Sequence, residues 1–160
     1  MSIPSRNSDP SSIELTSRTF FVSTRASQGR AILQTDRMAN LLMDVLRSYT
    51  LAGAFRVHEF VVMPNHLHVL VTIRDMSIEK AVQLIKGNFS YRAKKELGFQ
   101  REVWQKGFSE VRVSDRKSFL QHKSYIEENP VKAGLVTSPE EYPYCSLYLR
   151  RRKERAVGSG

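Results

Sequence analysis

The sequence has little of three features that define large classes of proteins. Among its 160 residues there is one cysteine, Cys145, so no disulfide can form within the chain, and a reducing cytoplasm is the expected compartment. Its apolar runs have the length of strands, whereas a membrane-spanning helix needs about 20 apolar residues. The first twelve residues are polar and lack the apolar stretch of a signal peptide. We therefore expect a cytoplasmic protein built around one hydrophobic core.

Acidic side chains are also scarce relative to basic ones. The chain has 25 Lys and Arg against 16 Asp and Glu, a formal net charge of +9. The excess lies in the second half, because residues 76–160 carry 17 basic and 10 acidic side chains. Such a distribution favours a polyanionic partner, most often nucleic acid. A basic protein without such a partner would fit the charge almost as well.

Hydrophobic periodicity predicts an α+β fold. The predicted order is a strand at 18–24, a helix from 35 to 53, strands at 56–63 and 66–73, a helix from 77 to 98, a strand at 108–113 and a third helix that begins at 114 or 115 and ends at Asn129-Pro130. Strand, helix, strand, strand, helix, strand is the split βαβ plan of the ferredoxin-like fold, an antiparallel sheet with two helices on one face. The third helix is then free to cross the open face.

The predicted domain occupies residues 17–149. Residues 1–16 are rich in Ser, Pro and Asn and are predicted to form a loose leader. Residues 150–160 begin with a run of basic side chains and are predicted to be a disordered basic tail.

Two histidines stand one residue apart on the third predicted strand. His66 and His68 share one face of that strand, with Cα atoms about 6.6 Å apart, while Leu67, Val69 and Val71 fill the other face. Two neutral imidazoles at this spacing can bind one metal ion. Such a pair is more often two surface or packed histidines, so the spacing alone gives a site about one chance in three. His58 is expected to be a partner or a surface residue rather than a ligand, and His122 is expected to lie outside the site.

The third predicted helix places a tyrosine and an amide on one face. Tyr125 and Asn129 are four residues apart and therefore one turn from each other. An activated tyrosine can attack a phosphodiester, and the Asn129 oxygen could join the two histidines as a metal ligand. The simpler interpretations are a half-buried aromatic residue and a helix-end asparagine that satisfies a backbone group.

These segments resemble those of a known family. Pro64-Asn65-His66-Leu67-His68 is similar to the HUH motif (His, bulky apolar, His), and Tyr125-Ile126-Glu127-Glu128-Asn129-Pro130 is similar to the tyrosine helix of single-tyrosine HUH transposases. Val103-Trp104-Gln105-Lys106-Gly107-Phe108 and Tyr142-Pro143-Tyr144-Cys145-Ser146-Leu147 resemble segments of the REP-associated tyrosine transposases more narrowly. The resemblance runs from about residue 18 to residue 148.

The resemblance implies a reaction and its participants. It implies metal-dependent cleavage and rejoining of single-stranded, hairpin-bearing DNA in the bacterial nucleoid, with Mg²⁺ or Mn²⁺ as the cofactor. Tyr125 would form a 5′-phosphotyrosine link, and His66, His68 and Asn129 would be the metal ligands. Insertion-sequence members act as dimers that exchange the tyrosine helix, whereas REP-associated members are expected to act as monomers, so monomer and homodimer both stay open.

Two further functions compete with this hypothesis. One is a non-catalytic nucleic-acid-binding module on the same fold, and the other is a metal hydrolase that uses water without a covalent intermediate. Under all three, basic side chains should contact DNA phosphates, which position the nucleic acid without reading its sequence. The candidates are Arg112, Lys117, Lys123, Lys132, Arg150, Arg151 and Arg152.

Overall fold

The computed structural model describes residues 17–158, and the predicted leader 1–16 lies outside the described residues. Within the described range the chain forms four strands and four helices. In chain order these are β1 (Arg18–Arg25), α1 (Asp36–Leu51), β2 (Arg56–Met63), β3 (His66–Ile73), α2 (Ile78–Leu97), β4 (Ser109–Val113), α3 (Arg116–Lys132) and α4 (Ser146–Gly158). Short 3₁₀ turns occupy Ser27–Gly29 and Pro139–Glu141.

The strands form one antiparallel sheet in the spatial order β2-β3-β1-β4. β1 and β3 lie in the centre, and each helix that follows β1 or β3 leads to an edge strand. This is the predicted split βαβ arrangement, so the expectation of a ferredoxin-like α+β fold is confirmed. Strand β4 begins one residue later than the sequence pattern indicated.

Helices α1 and α2 cover one face of the sheet and enclose the larger core. Alternate residues of the strands, such as Phe20 and Val22, meet the apolar stripes of the two helices there. Each helix begins at a side chain that caps its first turn. The Thr35 hydroxyl accepts a hydrogen bond from the Met38 amide at 3.2 Å, and the Ser77 hydroxyl accepts one from the Lys80 amide at 3.0 Å.

Helices α3 and α4 pack on the opposite face around a second apolar cluster. The cluster comprises Val61, Met63, Leu70, Val113, Ile126, Tyr142 and Cys145. Asp115 caps α3 by accepting a hydrogen bond from the Ser118 amide at 2.7 Å. The Tyr142 hydroxyl donates to the Val62 carbonyl at 2.6 Å and ties the segment between α3 and α4 to the sheet. The prediction that the third helix crosses the open face is therefore confirmed.

The predicted end of the third helix was wrong, because α3 continues through Pro130 to Lys132. Proline removes one helical hydrogen bond and disfavours the helical conformation of the residue before it. Here the proline lies in the last turn and its ring is buried. The Leu135 amide then donates to the Pro130 carbonyl at 2.9 Å, and Gly134 adopts a φ of 77° that closes the helix end.

The prediction of a disordered tail was also wrong for residues 150–158, because α4 runs from Ser146 through the expected boundary at residue 149. Its first turns are fixed to the sheet: Arg150 donates to both carboxylate oxygens of buried Glu59, at 3.0 and 3.1 Å. The Ser146 hydroxyl also donates to Glu59, at 2.8 Å. Neither α4 nor any other helix between residues 17 and 158 is long and apolar enough to cross a membrane.

Candidate metal and nucleophile site

The two histidines of β3 lie together on the face that α3 crosses. The β2–β3 turn at Pro64-Asn65 brings the chain directly into this strand. The ring centroids of His66 and His68 are 4.6 Å apart, and His68 is only 7% exposed. The predicted alternation along the strand is correct, because Leu67 and Val69 are buried in the larger core on the other side.

Hydrogen bonds orient both imidazole rings through their Nδ1 atoms. His66 Nδ1 lies 2.7 Å from the amide oxygen of Asn65. Since that oxygen can only accept, Nδ1 carries the hydrogen and Nε2 keeps its lone pair. His68 Nδ1 lies 2.6 Å from the Ser23 hydroxyl. A hydrogen bond at Nδ1 is the usual way in which proteins direct Nε2 toward a metal.

Both rings are neutral at physiological pH. Burial lowers the pKa of His68 to about 3. The positive charges of Arg25 and of the protonated form of His66 contribute to this shift. Burial also lowers the pKa of His66, as does the charge of Arg25, while a hydrogen bond with the Asn129 side chain acts in the opposite direction. Neutral imidazole is the form that binds metal ions.

Strand β1 supplies three residues of the site that the sequence pattern did not reveal. Phe21 stacks on the His68 ring with centroids 5.3 Å apart, and Ser23 holds the Nδ1 atom of the same ring. Arg25 is directly opposite His66 in the antiparallel register. The sequence did indicate that these residues alternate along β1 with the buried Phe20 and Val22. It did not indicate which strand pairs with β1, and this pairing places them beside the histidines.

Helix α3 brings the tyrosine and the amide over the histidines of the same chain. The Tyr125 ring lies edge-on to His68 with centroids 5.4 Å apart, and it packs against Phe21 at 5.8 Å. The Tyr125 side chain is nevertheless 43% exposed, so an incoming molecule can reach it. The Asn129 side chain lies near the His66 ring and acts to raise the pKa of that imidazole. The four side chains predicted separately from sequence thus lie together in one place.

The residues present fit a divalent metal ion. Two neutral imidazoles with engaged Nδ1 atoms, joined by an amide, form a donor set of the kind that binds Mn²⁺ or Zn²⁺ readily and Mg²⁺ less strongly. Across residues 17–158 there is no group of three or more His, Cys, Asp or Glu placed to hold a metal. The Asn129 amide is the candidate for a third protein ligand.

The two other histidines lie outside this constellation, as expected. His58 Nε2 is 2.6 Å from the Thr72 hydroxyl, near the far end of β3 from His66. His122 packs against Phe21, with ring centroids 4.7 Å apart, and its Nδ1 is 2.9 Å from the Ser118 carbonyl oxygen.

One of the seven candidate DNA-binding cations stands beside the nucleophile. Lys132 Nζ lies 5.8 Å from the centroid of the Tyr125 ring. Arg112 instead lies over the ring of Phe20, with which it pairs in the sheet, and so belongs to the opposite face. Three others are exposed and away from the cluster of side chains described above: Lys117, Arg151 and Arg152.

The two remaining cations are engaged with carboxylates. Lys123 Nζ is 2.8 Å from a carboxylate oxygen of Glu127, and Arg150 binds Glu59 as described and reaches Glu127 at 3.4 Å. Arg150 therefore holds α4 in place, a role that the sequence did not indicate.

Comparison with known proteins assigns the family. The family described as "Transposase IS200 like" matches residues 21–129, which include both histidines, the tyrosine and the asparagine. The chain belongs to this transposase family. Membership implies nuclease or strand-transfer activity in general.

The names of two similar proteins agree with this family assignment. A Haemophilus influenzae protein provisionally named a REP-associated tyrosine transposase is 26% identical over 135 residues, which span 73% of this chain and 77% of the relative. A REP-associated tyrosine transposase of Escherichia coli is 28% identical over 96 residues, or 59% of this chain and 55% of the relative. The resemblance drawn from the sequence motifs is thereby confirmed.

Solved structures share the fold of this IS200-like transposase. A structure described as a REP-associated tyrosine transposase bound to a REP hairpin superposes with a TM-score of 0.68 at 23% identity, covering 82% of this chain and 77% of the other. A structure of a Deinococcus radiodurans protein provisionally described as a transposase gives a TM-score of 0.52 at 20% identity, covering 69% of this chain and 88% of the other.

Proposed function

We propose that this IS200-like transposase cuts and rejoins single-stranded, hairpin-bearing DNA through a 5′-phosphotyrosine intermediate in a metal-dependent reaction. One observation carries the proposal: an accessible tyrosine lies beside two neutral, oriented imidazoles and an amide within one chain. A nucleophile next to a metal-binding donor set is the arrangement that covalent catalysis on a phosphodiester requires.

The proposed roles follow from the chemistry of each side chain. Tyr125 Oη attacks the phosphorus, its proton leaves to solvent, and a phosphotyrosine bond forms as the bond to the 3′-oxygen of the preceding nucleotide breaks. That oxygen takes a proton and becomes a 3′-hydroxyl. Attack of a 3′-hydroxyl on the phosphotyrosine reverses the step and rejoins DNA, so no ATP is consumed.

His66, His68 and Asn129 would hold a divalent ion, Mn²⁺ or Mg²⁺, beside the nucleophile. When bound, such an ion polarises the phosphate and neutralises the charge that develops on its oxygens. Asn65 fixes the tautomer and orientation of His66, and Ser23 orients the His68 ring, both through the Nδ1 atoms. Phe21 backs the His68 ring and limits its rotation.

Hairpin DNA is the proposed partner. The net charge of +9 favours a polyanion, and the solved neighbour with the same fold is described as bound to a REP hairpin. Lys132, beside the tyrosine, is placed to contact a phosphate close to the cut. Binding should weaken steeply with salt, because each phosphate contact releases counterions.

A covalent-adduct assay tests the proposal. The protein and its Tyr125→Phe variant are incubated with end-labelled single-stranded hairpin DNA, with and without Mn²⁺, and separated on a denaturing gel. We expect a shifted protein–DNA band that needs both the metal and the tyrosine, while the variant keeps its DNA affinity. Cleavage without an adduct would instead indicate a hydrolase that uses water. DNA binding without any cleavage would indicate a non-catalytic module.

A further inference from the structure

Arg25 is an exposed cation at the histidine end of β1. It lies opposite His66 in the sheet register, and it shares a face with Phe21 and Ser23, which touch the His68 ring. Directly paired residues of an antiparallel sheet have Cβ atoms about 5 Å apart. The guanidinium is therefore on the same face as both imidazoles and within the range of a flexible side chain. Its charge is one of the causes that lower the pKa of His66 and of His68.

The backbone around Arg25 is fixed on both sides. The Arg25 carbonyl accepts a hydrogen bond from the Gln105 amide at 2.8 Å, and the next residue, Ala26, donates to the Asn65 carbonyl at 2.9 Å. Asn65 is the same residue whose amide oxygen orients His66. The base of the arginine side chain is thus held to the histidine turn itself, and substitution at this position leaves those backbone bonds in place.

Arg25 has no acidic partner within the described residues. The ion pairs found there join Arg92, Lys123 and Arg150 to carboxylates elsewhere in the molecule. Its neighbours on this face of the sheet are His66, which is opposite it in the register, and Ser23, two residues earlier on the same strand. An exposed arginine beside neutral donors presents a planar fork of N–H groups that matches two oxygens of a phosphate.

We propose that Arg25 is a further catalytic residue, which donates two hydrogen bonds to the non-bridging oxygens of the scissile phosphate during attack by Tyr125. This inference rests on the proposed phosphotyrosine chemistry. As the bond from the tyrosine oxygen forms and the bond to the 3′-oxygen breaks, negative charge grows on the equatorial oxygens, and the guanidinium stabilises it. Lys132 stands on the tyrosine side and Arg25 on the histidine side, so the phosphate would lie between two cations.

The test compares Arg25→Ala and Arg25→Lys with Arg74→Ala, a control that removes one exposed charge just beyond the opposite end of β3. Adduct formation on hairpin DNA is followed at saturating protein, and DNA affinity and Mn²⁺ affinity are measured separately. We expect Arg25→Ala to slow adduct formation about 100-fold, the usual effect of losing one preorganised donor. Arg25→Lys should recover part of the rate, because it keeps the charge without the fork. Arg74→Ala should react at the wild-type rate.

The affinities for DNA and for Mn²⁺ distinguish a catalytic role of Arg25 from a structural one. For the proposal, Arg25→Ala and Arg74→Ala must bind DNA equally well, and Arg25→Ala must keep its Mn²⁺ affinity. A wild-type rate in Arg25→Ala would overturn the inference while leaving the phosphotyrosine chemistry intact. A slower rate accompanied by lost Mn²⁺ binding would also overturn it, because Arg25 would then only position the histidines. If the wild type forms no adduct, the proposed function fails first and the inference fails with it.

Discussion

At the scale of single residues, the site depends on side chains that hold the histidines as much as on the histidines themselves. Ser23 contacts only the Nδ1 edge of His68, at 2.6 Å, yet this contact directs the other ring nitrogen. The residue opposite Ser23 on β4 is Ser109, which is exposed and has no such contact. Two serines on neighbouring strands therefore differ in whether they orient a proposed metal ligand.

Replacing Ser23 by Ala should weaken Mn²⁺ binding about 10- to 100-fold, because the oriented hydrogen bond to His68 is lost. The unfolding free energy should change by no more than about 1 kcal/mol, the usual net value of one hydrogen bond. Isothermal titration with Mn²⁺ measures the first quantity and urea unfolding the second. Ser109→Ala should change neither. Equal Mn²⁺ affinities for the two variants would show that Ser23 does not support the site.

Tyr142 gives the fold a dependence on alkaline pH. Burial raises the pKa of its hydroxyl to about 12, against about 10 in an unfolded chain. Because the folded pKa is the higher one, the stabilisation from this residue is complete below pH 10 and is lost as the pH rises from 10 to 12. Tyr142→Phe should cost about 1 kcal/mol at neutral pH through loss of the bond to the Val62 carbonyl. Urea unfolding between pH 8 and 12 should also show a weaker alkaline loss in the variant; parallel curves would refute this role.

The sequence predicted the four candidate site residues but not the side chains that hold them. His66, His68, Tyr125 and Asn129 were recognisable because their spacing alone places each pair on one face of a strand or a helix. Ser23 and Arg25 are ordinary residues of an ordinary strand. Their position depends on the register between β1 and β3, which pairs segments more than 40 residues apart. Local patterns carry no record of such a pairing.

At the scale of elements, α4 is attached to the sheet by a charged contact in addition to its apolar packing. Glu59 is buried on β2 and is satisfied by Ser146 and Arg150, both from α4. The arginine also reaches Glu127 of α3, so one side chain joins three elements. A buried carboxylate that lost its cation would cost free energy. The packing of α4 on the sheet therefore depends on this contact.

Arg150→Ala should lower the unfolding free energy by about 1–3 kcal/mol, because it leaves the Glu59 carboxylate with the serine as its remaining partner. Arg151→Ala removes the same charge from an exposed position and should cost less than about 0.5 kcal/mol. Urea unfolding of the two variants gives the comparison. If the two variants were equally stable, the contact with Glu59 would not stabilise the fold. Arg150 would then be better regarded as a DNA-binding residue.

Element positions were predicted well where capping chemistry is local. Thr35, Ser77 and Asp115 cap the helices where the sequence indicated. The two errors, at Pro130 and in residues 150–158, share a cause. In both places tertiary contacts, the burial of the proline ring and the Arg150–Glu59 pair, stabilise helix that local sequence rules would end.

At the scale of the whole molecule, the site is assembled within a single chain. Helix α3 lies over the histidines of its own sheet, and the Asn129 side chain lies near His66 of the same chain. The alternative, in which a partner supplies the tyrosine helix, would separate the nucleophile from the histidines of its own chain. We therefore expect one copy to be sufficient for the reaction.

A mixing experiment tests assembly within one chain. His66→Ala and Tyr125→Phe each remove one half of the site, so a mixture of the two variants can form an adduct only if tyrosine helices are exchanged between copies. We expect the mixture to be as inactive on hairpin DNA as either variant alone. Recovery of adduct when the two inactive variants are mixed would show a dimer with exchanged helices.

The measurement that tests the central claim most directly is the identity of the DNA end that becomes attached to the protein. One hairpin oligonucleotide is labelled at its 5′ end and, separately, at its 3′ end, and each is incubated with the protein and Mn²⁺. If a 5′-phosphotyrosine forms, the 3′-end label migrates with the protein and the 5′-end label is released on a fragment with a 3′-hydroxyl. Mass spectrometry should then identify Tyr125 as the residue in the linked peptide. Attachment of the 5′-labelled fragment, or of either fragment to a residue other than Tyr125, would contradict it.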